Sequence, residues 1–138
     1  SKAPDSTFNL TVPEVDVYNF KNKQWNTVES SIPTQRAGVM TLEYRNQLLV
    51  IGGESGTQSD AHNEVEAYEP ERGLWRSLPP LVEGRHGTGA IQIGDNIVVA
   101  SGSGSRGGSP ELRSMEVYVP SQATAEPFVT DSTDCIEP

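Results

Sequence analysis

The chain repeats itself at a period of 50 residues, and that period constrains the fold more than any other feature. Val15-Asp-Val-Tyr18 is followed by Trp25, Val65-Glu-Ala-Tyr68 is followed by Trp75, and Met115-Glu-Val-Tyr118 continues the series. The tyrosines are 50 apart, twice, and each tryptophan stands seven residues after its tyrosine. A second register agrees. Arg36-Ala-Gly38 returns as Arg85-His-Gly87, and Leu49-Val-Ile-Gly-Gly53 returns as Val98-Val-Ala-Ser-Gly102, both 49 residues on. Self-similarity at this spacing marks stacked supersecondary units that bury an apolar face only against their neighbours.

Each unit reads as short strands joined by turns. Gly38–Tyr44 and Gln47–Ile51 are β-rich runs around a short turn, matched by Thr88–Ile93 and Asn96–Ala100. Gly94-Asp95 between the latter pair suits a two-residue hairpin. The doublet Gly52-Gly53 ends the second strand and opens a long polar loop. A third strand follows over Glu64–Tyr68. The turn Glu69-Pro-Glu-Arg-Gly73 leads into a fourth strand from Trp75 to Leu78, and Pro79-Pro80 stops it. The chain has 13 glycines and 10 prolines and no long Leu/Ala-rich stretch, a balance that favours many short strands over helices.

The Gly-Gly doublet, the spaced Tyr and Trp and the 50-residue period resemble the kelch repeat. Ile32-Pro-Thr-Gln-Arg-Ala-Gly38, Ala61-His-Asn-Glu-Val-Glu-Ala67, Gly84-Arg-His-Gly-Thr88 and the run from Ala100 to Glu111 are similar to the later blades of secreted, galactose-oxidase-like kelch proteins. The resemblance spans roughly residues 12–120. It implies an all-β chain, a partial kelch β-propeller of about two to three four-stranded antiparallel blades. Structural roles follow for Gly52, Gly53, Tyr18, Trp25, Tyr68, Trp75 and Tyr118. The aromatic residues, with Val50, Ile51, Ile97 and Val99, are expected to be buried in or between blades. The exchange of Gly52 for Ser101 suggests that the later loop turns differently.

Strand counting divides the chain into an exposed segment 1–14, a half blade 15–35, a complete blade 36–81, a three-stranded blade 82–120 and a tail 121–138. About nine strands are expected, too few to close a ring. The open faces require cover. Three sources are open: the rest of a longer propeller, further copies of the chain, or an extra strand over the alternating Phe8, Leu10 and Val12. The tail, rich in Ser, Thr, Pro and acids, reads as a linker or as a strap over the last blade.

A formal net charge of −9 makes nucleic acid and acidic lipid poor partners. No apolar run approaches the roughly 18 residues of a membrane span, and the opening residues lack the apolar core of a signal peptide. The one cysteine, Cys135, has no internal partner, so it is free or pairs with another chain. Asn9-Leu-Thr11 fits a glycosylation acceptor and points to an extracellular setting; the lone thiol also suits the cytoplasm.

Loops of this topology bring Arg36, His62, Arg85, His86 and Arg106 near one rim. Such a cluster suits an anionic group, a sugar carboxylate or a partner's side chain. For Arg36 and Arg85, recurrence at one period favours a structural role, so the two histidines are the better binding candidates. No catalytic residue, metal site or cofactor is expected: two histidines without a blade cysteine do not make a copper-radical centre, and no Ser-His-Asp spacing is readable. Gly102–Gly108 lacks the Gly-Lys-Ser/Thr ending and the helix of a phosphate loop. The leading expectation is a non-catalytic interaction or structural module, extracellular and part of a larger propeller or assembly, with other protein chains or further copies that complete the propeller, and a glycan, as the partners. The alternative is a fragment of a carbohydrate-active propeller enzyme with catalytic residues on other blades.

Overall fold

The computed structural model describes residues 11–120, which form nine short strands and no α-helix. Strands β1 (Asp16–Asn19) and β2 (Gln24–Thr27) make a two-stranded sheet. Strands β3 (Met40–Tyr44), β4 (Gln47–Ile51), β5 (Val65–Glu69) and β6 (Leu74–Leu78) make a four-stranded meander. Strands β7 (Ala90–Ile93), β8 (Asn96–Ala100) and β9 (Met115–Tyr118) make the third sheet. All pairings are antiparallel, and the register repeats: Tyr18 stands opposite Trp25, and Tyr68 opposite Trp75.

The hairpin turns hold each meander in register. Gly94-Asp95 joins β7 to β8, with Gly94 at φ +61°. At the matching place Arg45 and Asn46 both take left-handed backbone, φ +52° and +62°, as a two-residue hairpin of this hand requires. Arginine is a costly residue there. Two contacts offset the strain. The guanidinium lies 5.1 Å from the centre of the Tyr44 ring, and Nη2 meets Asp95 at 3.0 Å in the turn of the next sheet.

Side-chain alternation sends the two faces of the four-stranded sheet into two different cores. Leu49 and Ile51 of β4, with Val65, Ala67 and Leu78, pack against Ile97, Val99 and Tyr118 of the third sheet. Val50, Tyr68 and Trp75 look the other way, onto Val15, Val28 and Ile32 of the first. The same aromatic pair therefore has two fates. Tyr68 and Trp75 lie 5.2 Å apart, and Trp75 is 8% exposed. Tyr18 and Trp25 lie 5.1 Å apart, yet Trp25 is 68% exposed, against the expected burial, and Tyr18 is half-buried. The first sheet turns this face outward, and no described sheet lies beyond it. On the far side Ile91, Ile93, Met115 and Val117 of the third sheet are exposed for the same reason.

The glycine doublet is a packing device. A Cβ on Gly52 (φ +63°) would sit 2.2 Å from the Arg85 carbonyl oxygen, and one on Gly53 (φ +118°) 2.8 Å from that of Ala37. The backbone of the inter-sheet segments passes directly over these positions. Ser101 takes the place of Gly52 at φ +55°, the same conformation, so the different turn expected there does not arise at this residue. It is exposed, with no following sheet described against it, which is why a side chain fits. Val12 is exposed and belongs to no strand. Phe8, Leu10, Asn9, Cys135 and the tail lie outside the described residues.

Candidate functional site

The loops after β4 and β8, and the segments that enter β3 and β7, lie at one end of the sheets and form a continuous rim. Two arginines anchor it. Arg36 Nε donates to the Gly52 carbonyl at 2.6 Å, Nη2 to Val50 at 3.1 Å, and Nη1 to Thr34 and to the Glu66 carboxylate at 2.5 Å. Arg85 repeats the pattern, reaching the carbonyls of Ser101 and Ser114 and the Glu116 carboxylate at 2.9 Å. Both are buried. A buried guanidinium is tolerated with a paired carboxylate and well-filled donors; Arg36 has both, and Arg85 has its carboxylate and filled Nη atoms but a buried Nε without a partner. The acids also grip the incoming loops. Glu66 accepts from the Thr34 hydroxyl at 2.7 Å, and Glu116 from the amides of Val82 and Glu83 at 2.8 and 3.0 Å.

The histidines are buried as well. His62 Nε2 is 2.7 Å from Ser55 Oγ, and its Nδ1 is 2.9 Å from Glu64 Oε2. Burial alone would raise the Glu64 carboxyl, but its own backbone amide and His62 outweigh that and hold it below the ordinary carboxylate value. The relay has the atom order of a nucleophile–base–acid triad. Ser55, however, is 2% exposed and is also held by the Thr57 hydroxyl at 2.8 Å. The arrangement leaves an acyl group no approach to Ser55 Oγ, and the relay braces the loop. His86 Nε2 lies 2.9 Å from the Ser105 carbonyl and 3.6 Å from Glu54. Glu54 also accepts from the Gly107 amide at 2.8 Å.

Of the five rim residues singled out in the sequence, Arg106 is exposed, and Arg36, Arg85, His62 and His86 face inward. The expected open cluster of cationic side chains does not form, because acids and carbonyls within the sheets take these groups up. The backbone amide of Arg106 donates to Ser59 at 2.8 Å, and its guanidinium reaches the Gly56 carbonyl at 3.3 Å, tying the two long loops together. The amides of Ser103, Gly104, Arg106, Gly107 and Gly108 all donate within the protein, so the glycine-rich loop offers no amide cradle to a phosphate. Among the described residues no three His, Cys, Asp or Glu side chains gather as a metal site.

Sequence reasoning missed Glu66, Glu116, Ser55, Glu64 and Glu54. A signal existed for the first two: each stands two residues before the repeating tyrosine, opposite an arginine that repeats at nearly the same period. Nothing in the spacing of Ser55, His62 and Glu64 announces that their loop folds back on itself.

The sheet topology, the doublet and the aromatic register narrow the fold to one type of repeat. Residues 36–82, which take in the whole four-stranded sheet, match the Kelch motif. The chain is built of kelch-type propeller blades. Similar proteins include the human Kelch-like protein 23, 30% identical over 110 residues, and its mouse counterpart at 29%. Human Kelch-like protein 21 is 31% identical over 94 residues. These matches cover 80% and 68% of this chain but 18% and 15% of the human relatives, so the chain spans under a fifth of their length.

Proposed function

We propose that these kelch blades form a non-catalytic interaction module, presenting a rigid loop rim to a partner protein inside a ring completed by further blades. The lacing of the rim carries the reading. Side chains suited to chemistry are spent on holding the loops, while Asp60, Val82, Glu83, Arg106 and Glu111 reach solvent. A surface fixed in advance loses little freedom on binding. The match to the Kelch motif supports an interaction module. The exposed Trp25 on one side and Ile91, Ile93, Met115 and Val117 on the other are the same faces that pack between the described sheets, which supports cover by neighbouring blades.

An extracellular setting rests on Asn9-Leu-Thr11 and on the galactose-oxidase-like loop motifs; a mass shift on glycosidase treatment of the native protein tests it. The rim reading is tested by proximity labelling with the wild-type chain, a rim variant (Val82→Asp with Glu111→Lys) and a turn variant at the opposite end (Asp95→Ala). Partners lost only by the rim variant, at unchanged melting temperature, support the reading. Equal loss in both variants, or none in either, refutes it.

A further inference from the structure

The turn that joins β1 to β2 differs from its counterpart in the middle blade in charge and in apolar exposure. The meander puts both turns at the end of the sheets opposite the rim. Asn19-Phe-Lys-Asn-Lys23 corresponds, 50 residues on, to Glu69-Pro-Glu-Arg-Gly73. Each turn closes with the same bond at 2.8 Å, from the Lys23 amide to the Asn19 carbonyl and from the Gly73 amide to that of Glu69. The backbone is shared and the side chains are not. Phe20 takes the place of Pro70 and is 85% exposed. Lys21 and Lys23 are the lysines among the described residues, both exposed, in a chain of net charge −9. The ion pairs of the described residues use arginine or histidine instead.

The tip is distinct from the blade face beside it. In the middle blade the preceding sheet covers Tyr68 and Trp75, yet Pro70, Glu71 and Arg72 stay exposed. A blade packed before the first sheet would cover Tyr18 and Trp25 in the same way and leave the tip in solvent. The tip is also strained in favour of a side chain. Lys23 holds φ +59° where Gly73 holds φ +65°, so a glycine would take this position without strain. The rest of the turn is fixed in advance. Asn19 Oδ1 accepts from the amides of Lys21 and Asn22 at 2.9 and 3.3 Å, and Asn22 Oδ1 from that of Gln24 at 3.1 Å. Phe20 rests edge-on against Tyr18, ring centres 5.2 Å apart.

We infer that this tip is a docking site for an acidic segment of a partner protein: Phe20 enters among the segment's apolar side chains, and the two ammonium groups take its carboxylates. Charge decides the occupant. The chain as a whole repels an extended anionic surface at long range, whereas a short acidic segment meets the local positive charge. The site goes beyond the rim reading and stands or falls separately from it. The test is an NMR titration of the full chain with a short peptide of glutamate, aspartate and leucine, with its glutamine, asparagine and leucine counterpart as control. Saturable shifts at Phe20, Lys21 and Lys23 are expected with the acidic peptide and are lost at high salt. Phe20→Ala should weaken binding about tenfold at an unchanged melting temperature. Lys23→Gly should weaken it about threefold while raising the melting temperature, a split that a structural role does not produce. Equal shifts with the uncharged peptide, binding indifferent to either substitution, or a response confined to phosphatidylserine vesicles overturns the proposal.

Discussion

Trp25 and Trp75 occupy one position of the repeat, face equivalent tyrosines at nearly equal distance, and differ in whether a blade covers them. Truncating each to alanine therefore measures what a neighbouring blade contributes. A tryptophan offers roughly 200 Å² of side-chain surface, and burial is worth about 25 cal/mol per Å². With 8% exposure, Trp75 realises nearly all of that, and Trp75→Ala should cost about 3–5 kcal/mol. It also removes the Nε1 bond to the Ser30 carbonyl at 3.2 Å. With 68% exposure, Trp25→Ala should cost about 1–1.5 kcal/mol. Urea denaturation followed by far-ultraviolet circular dichroism gives both values free of the lost fluorophore. Equal costs would refute the reasoning: either the blade contact contributes nothing at Trp75, or another surface covers Trp25.

Arg36→Met leaves Glu66 buried and unpaired and should cost about 3–5 kcal/mol, while the double variant Arg36→Met, Glu66→Leu should recover most of it; chemical denaturation of the three proteins checks this. Glu64, held below its ordinary value, contributes stability above pH of about 4.3 that is lost as pH falls through its folded value. Glu64→Gln should flatten the acid limb of a stability–pH curve, and an unchanged limb would remove Glu64 from the account. Native mass spectrometry should show association through the open blade faces, with any part that depends on Cys135 dissolving in reductant. A monomer that melts cooperatively would show the described blades to be self-sufficient.

The fold was readable because each unit punctuates itself. Gln47–Ile51 and Asn96–Ala100 are strands with the bounds read from the sequence, since a turn and a glycine or serine frame each. Arg45-Asn46 was harder to read, because a left-handed arginine is held by contacts in the next sheet. The fate of Trp25 was illegible for a different reason: a repeat fixes a residue's place in its own sheet but not the presence of a neighbour. At the rim the period pointed to the structural role of Arg36 and Arg85, though not to their acids, 30 and 31 residues away; His62 and His86, read as the better binding candidates, are buried by bonds within their loops that no spacing announces.

The grip of Glu116 on the amides of Val82 and Glu83 has a consequence for the order of assembly. The segment leaving β6 is pinned by a side chain 34 and 33 residues later in the chain. At a synthesis rate of about 5–20 residues per second, the middle blade completes its own ladder roughly 2–7 s before that clamp leaves the ribosome. Over this interval the β6–β7 segment is held to the middle blade through Leu81 and Arg85, which bond Asn63, His62 and Gly53, while the amides of Val82 and Glu83 await Glu116. The lacing of the β6–β7 segment is thus completed only when β9 brings Glu116 to it.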